Sequence, residues 1–121
     1  MQYEEFIRKV ADAAGISAEE AKRASIAVLQ ELCDRLSGKE ADDLLAQLPA
    51  RLRRKVIVPP CETPVSADKF VDLVADDLKI PPHEAQNRIR AVFATLRQAV
   101  SWGEFEDVLE ELDPEYADLL A

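Results

Sequence analysis

Shifted against itself by 64 residues, the chain matches itself without a gap. Residues 6–57 lie over 70–121, and 15 of those 52 positions are identical. The identities include Phe6/Phe70, Val10/Val74, Ile16/Ile80, Glu20/Glu84, Leu32/Leu96, Ser37/Ser101, Glu40/Glu104, Asp43/Asp107 and Leu48/Leu112. Others are conservative, such as Leu29/Phe93 and Leu52/Tyr116. A repeat constrains the fold before any single residue does, because both copies must suit the same local structure. Two copies are too few for a solenoid, which needs about three. The expectation is a pseudo-twofold pair sharing one core in a single helical domain. Repeat one covers 2–57, a proline-rich linker 56–65, and repeat two 66–121.

Each repeat reads as four helices, giving an all-α chain of about eight. Apolar residues recur at helical spacing over 2–14 and 67–78, with Phe6, Ile7 and Val10 against Phe70, Val71 and Val74. The second pair, over 18–36 and 82–100, carries a stripe of Ala21, Ser25, Val28, Leu29, Leu32 and Leu36. Its copy is Ala85, Ile89, Val92, Phe93, Leu96 and Val100. These fall on one face of a 3.6-residue period. A third pair is expected over 38–48 and 102–112, and a short fourth over 49–56 and 114–120. Ser17 with Glu20, Ser37 with Glu40 and Ser101 with Glu104 each match the capping box. Pro82 suits a first helical turn, where its missing N–H costs nothing, and Asp113-Pro114 reads as a cap and first-turn proline. Gly15, Gly38 and Gly103 all fall at expected junctions, so none is left for a phosphate-binding loop. Pro59, Pro60 and Pro64 exclude a continuous helix from the linker, which reads as a stiff, extended crossover.

The run Glu40-Ala41-Asp42-Asp43-Leu44-Leu45-Ala46-Gln47-Leu48-Pro49 follows a helix ending Arg35-Leu36-Ser37. With Phe6…Val10 and Phe70…Val74 opening the repeats, it resembles the bacterial domain-of-unknown-function 2267 family across nearly the whole chain. The second copy departs from the pattern, with Glu111-Leu112-Asp113-Pro114 where the first has Gln47-Leu48-Pro49. The resemblance implies an all-helical bacterial protein. It implies no catalytic residues.

Motifs for chemistry are sparse. His83 is the one histidine, so no His-Glu-x-x-His zinc pair or Glu-x-x-His di-iron pair is present. No cofactor, metal or catalytic residue is assigned, and the chain reads as a non-enzyme. Cys33 and Cys61 are expected to be two reduced thiols. The longest aliphatic run is Val56-Ile57-Val58, far short of the ~20 apolar residues of a membrane span. The acidic start, Met1-Gln2-Tyr3-Glu4-Glu5, is unlike a signal peptide. A cytoplasmic protein is the expectation.

Charge separates the two repeats. Residues 1–61 hold 10 basic and 10 acidic side chains, net 0; residues 62–121 hold 5 and 14, net −9. Arg51, Arg53, Arg54 and Lys55 end the first repeat, whereas 104–121 holds eight carboxylates and no Lys or Arg. This divergence points to protein recognition through complementary basic and acidic surfaces, toward an unknown protein partner or between copies of the chain. The residues singled out are Arg51, Arg53, Arg54 and Lys55 for an acidic partner, and Trp102, Phe105, Glu106, Glu110 and Glu111 for another. Trp102 and Phe105 are expected to form one aromatic patch. The alternative is a small-ligand binder or enzyme with a pocket between the repeats. Nucleic acid ranks below both, because four cations on a chain of net charge −9 make a weak phosphate footprint.

Overall fold

A computed structural model describes residues 1–120. Its helices are α1 (Tyr3–Ala14), α2 (Ala18–Arg35), α3 (Gly38–Ala46), α4 (Ala50–Arg53), α5 (Ala67–Leu78), α6 (Pro82–Ala99), α7 (Trp102–Glu111) and α8 (Tyr116–Leu120). No strand occurs among the described residues. α1 and α5 are 12 residues each, and α2 and α6 are 18 each.

Local chemistry sets most boundaries. Ser17 and Glu20 form the full capping box at α2. Pro82 occupies the first turn of α6. Gly15 ends α1 in the left-handed region at φ 69°, which glycine enters without a Cβ penalty. Lys79, 64 residues later, ends α5 in the same region at φ 57° and does carry that penalty. Three expectations need correction. α3 stops at Ala46 because Gln47 and Leu48 form a turn ahead of Pro49, which leaves α4 only four residues. Pro114 lies in a turn, so α8 starts at Tyr116. Gly103 sits inside the first turn of α7 rather than at a junction.

Packing crosses between the halves. α1 lies on α6 as well as α2, and α5 lies on α2 as well as α6. α2 meets α6, and α3 meets α7. One core cluster results, anchored by Phe6, Phe70, Phe93 and Phe105 with Leu29, Leu32, Ile89 and Leu96. The Phe70 and Tyr116 rings meet edge-on, centroids 5.6 Å apart. The linker has no helix and is pinned along α2. The Gln30 amide donates to the Ile57 carbonyl at 2.8 Å, and its carbonyl oxygen accepts from the Ile57 N–H at 2.9 Å. The Thr63 N–H donates to the Asp34 carbonyl at 2.8 Å, and the Tyr116 hydroxyl donates to the Val65 carbonyl at 2.8 Å.

Candidate functional site

α4 and α8 overlap in the 64-residue alignment, where Leu52 falls on Tyr116, and the residues around them carry opposite charge. Leu52 and Tyr116 are the buried pair. Around Leu52 stand Arg51, Arg53, Arg54 and Lys55, all exposed; Glu115 and Asp118 occupy the places matched to Arg51 and Arg54. Each helix borders a surface depression. The first, about 410 Å³, is lined by Tyr3, Ile26, Arg51, Leu52, Arg54 and Lys55. The second, about 520 Å³, is lined in part by Asp68, Asp72, Glu115 and Asp118, with His83 and Arg90 among its walls. Two grooves at corresponding positions thus differ in sign.

The basic groove is partly organised. The Arg51 guanidinium lies over the Tyr3 ring, 4.1 Å from its centroid, and reaches Glu4 at 3.4 Å. Both ion-pair side chains are mostly exposed, so the pair is worth under ~1 kcal/mol. Arg53, Arg54 and Lys55 have no carboxylate within 4.0 Å among the described residues.

The other singled-out residues divide. Trp102 is 68% exposed, and Glu106 and Glu110 share its solvent face of α7 at helical spacing. Phe105 does not join that face; it is 2% exposed and packs in the core beneath Arg97, whose guanidinium lies 5.3 Å from the ring centroid. The single aromatic patch is therefore not formed. Phe105 is one position from Glu106 but on the inward side of the helix. Glu111 is occupied: its carboxylate accepts from the Ser37 N–H at 2.7 Å and from the Ser37 hydroxyl at 2.8 Å.

That last contact opens a second cluster. The boxes expected at Ser37 and Ser101 close differently. Each serine oxygen does accept from the amide three residues on, but the return bond comes from the other half. Glu111 serves Ser37, and the side-chain oxygen of Gln47 accepts from the Ser101 N–H at 2.7 Å. Gln47 and Glu111 are matched residues, 64 apart. Relieved of capping, Glu40 and Glu104 turn into the α3–α7 interface, where they are 8% and 7% exposed. With Asp43 they bring three carboxylate oxygens within 4.8 Å of one another. Glu40 Oε1 and Glu104 Oε2 are buried without a hydrogen-bond partner. Burial first, then the nearness of the Glu40 carboxylate and the charges of Asp43 and Asp107, push the Glu104 pKa up to about 8. Lys39 binds Asp43 at the rim, 2.8 Å away. The sequence held one unused sign of this cluster, the recurrence of Glu-x-x-Asp in both repeats.

Elsewhere, Glu31 on α2 is buried against Asp77 of α5, and burial with Asp77's hydrogen bond and charge pushes it up to about 8. Cys33 is buried and Cys61 exposed; both are free thiols. Two depressions draw residues from both halves, one bordered by Arg35 and Tyr116 and one by Ala13 and Ala94; they measure about 230 and 280 Å³. Both fall below the ~300–1,000 Å³ of ordinary small-molecule sites. No helix among the described residues is long and apolar enough to cross a membrane.

The family model described as an uncharacterized conserved protein, DUF2267, matches residues 3–119. The chain belongs to the DUF2267 family. No curated protein matches this DUF2267 member. The match covers α1 to α7 and all of α8 but its last residue, so both grooves and the α3–α7 carboxylates lie within the family region.

Proposed function

We propose that this DUF2267 chain is a non-catalytic protein-interaction module, built as one domain from two pseudo-twofold repeats. Its basic groove beside α4 takes an acidic segment of a protein partner. The observation that carries the reading is the opposite charge of two exposed grooves at matched positions. A shared core pattern does not require that difference, since Leu52 and Tyr116 stay buried on both sides. Matched helix lengths and the reciprocal Gln47–Ser101 and Glu111–Ser37 contacts support the two-repeat construction. The free thiols fit a reducing compartment, in line with a cytoplasmic setting.

The test is affinity capture from native lysate, with wild type beside an Arg53→Glu, Arg54→Glu variant. Sedimentation velocity of both proteins accompanies it. A partner held by wild type, lost by the variant and weakened between 50 and 300 mM salt supports the reading, because exposed charges are screened beyond ~8–10 Å at such salt. A variant that keeps every partner and the same assembly state overturns it. Assembly of wild type alone, lost in the variant, names a second copy as the occupant. A gel shift with nucleic acid at low salt replaces the protein partner.

A further inference from the structure

The α3–α7 carboxylates pose a problem that the interaction reading leaves untouched. Four carboxylates gather there: Glu40 and Asp43 from α3, and Glu104 with the neighbouring charge of Asp107 from α7. One ammonium, Lys39, stands near them, and its side chain is 85% exposed. Fully ionised, the cluster carries −4 from the acids and +1 from Lys39, a net of −3. Two of its members are more than nine-tenths buried, each with an oxygen that no donor reaches. Buried oxygens without donors are costly, and buried acids are normally paired with a cation, a donor or a metal. Lys39 meets only Asp43. Among the described residues no donor reaches Glu40 Oε1 or Glu104 Oε2.

We propose that Glu40, Asp43 and Glu104 form an oxygen-ligand site for one divalent cation of the Ca²⁺ class, held between α3 and α7. Three points carry it. The donor set is all carboxylate, which hard cations prefer to softer metals. The oxygens lie within 4.8 Å of one another, close enough for one cation with Ca²⁺–O bonds of about 2.4 Å to reach all three. Mg²⁺ gives up its water reluctantly and usually takes only one or two carboxylates, so a site of three carboxylates, two of them buried, suits Ca²⁺ better. Finally, the geometry is built rather than incidental. The inner glutamates are free to converge because Gln47 and Glu111 have taken over the serine caps. Asp43 stays half exposed at the rim, with its side chain 46% accessible, which leaves an open side for water to complete the shell.

The test titrates the intact chain with Ca²⁺ by isothermal calorimetry at pH 8.5, where proton competition is weak, and repeats it at pH 6. Thermal melts are run with Ca²⁺ or Mg²⁺ at matched ionic strength. Saturable binding of one Ca²⁺ per chain below 1 mM is expected, with Mg²⁺ at least tenfold weaker and affinity at pH 6 at least tenfold lower. A rise in Tm accompanies binding. Glu40→Gln with Glu104→Gln keeps the shape, and it abolishes both signals. Glu106→Gln with Glu110→Gln, two exposed acids of the same helix, leaves them intact. Lys39→Ala strengthens binding severalfold. If the inner double variant does not fold by circular dichroism, Asp43→Asn and Lys39→Ala decide the matter by moving affinity in opposite directions. No saturable binding up to 10 mM at pH 8.5 overturns the proposal. So does an equal response to Mg²⁺, or a Ca²⁺ signal that survives loss of the inner glutamates.

Discussion

Asp77 on α5 faces Glu31 on α2, and the position matched to Asp77 in the first half is Ala13. The unfolded chain ionises Glu31 near its ordinary value of 4.5, while the fold holds its proton up to about 8. The stabilising margin of that proton is whole below pH 4.5 and is lost as pH rises through about 8. Asp77→Asn removes a source of the upward push. Chemical denaturation is expected to show it near-neutral at pH 5 and stabilising by about 1 kcal/mol at pH 8. Lys79 offers a second gain. It holds a left-handed φ of 57° where the matched residue is Gly15, so Lys79→Gly should raise stability by about 0.5–1 kcal/mol in urea unfolding. Much at this scale was legible in advance. Phe6 and Phe70 announce themselves as core by spacing alone. Phe105 did not, because its matched residue is Ala41 and an aromatic beside an acidic run reads equally as a surface anchor.

Among the elements, helix ends carry the clearest lesson. Ser-x-x-Glu is a local pattern, and at Ser17 local chemistry closes the box as expected. At Ser37 and Ser101 a residue 74 or 54 positions away competes for the same N–H and takes it. No local reading sees such a competitor, which is why the inner glutamates stayed hidden. Gln47→Ala strips the cap from the Ser101 N–H and should cost about 1 kcal/mol, with faster amide exchange at the start of α7. The linker is the opposite case. Its prolines forecast an extended crossover, and Gln30 fastens it with two bonds to Ile57. Gln30→Ala should cost about 1–2 kcal/mol and speed proteolysis between residues 57 and 65, followed by limited digestion.

Across the whole molecule, each half depends on the other. α1 leans on α6 and α5 on α2, so a separated half exposes the faces its partner covered. Fragments 1–60 and 61–121 are expected to show little helix alone and to recover it on mixing, as read by circular dichroism. A piece of about 60 residues buries only about 60% of the surface its unfolded chain exposes, which is marginal even before the faces covered by the other half are lost. The all-helical fold and its eight helices were readable, since apolar residues recur at helical spacing in stretch after stretch. The occupants of the two grooves were not readable, because exposed charge states a sign and no shape. The contrast between the two cysteines has a practical outcome. Cys33 is buried, and burial followed by the charges of Asp34 and Asp42 pushes its thiol up to about 12. Cys61 stands exposed in the crossover. The native chain therefore carries one position open to thiol-specific chemistry. A spin label or fluorophore there sits on the crossover that joins the halves, and reports on their docking without a single engineered cysteine.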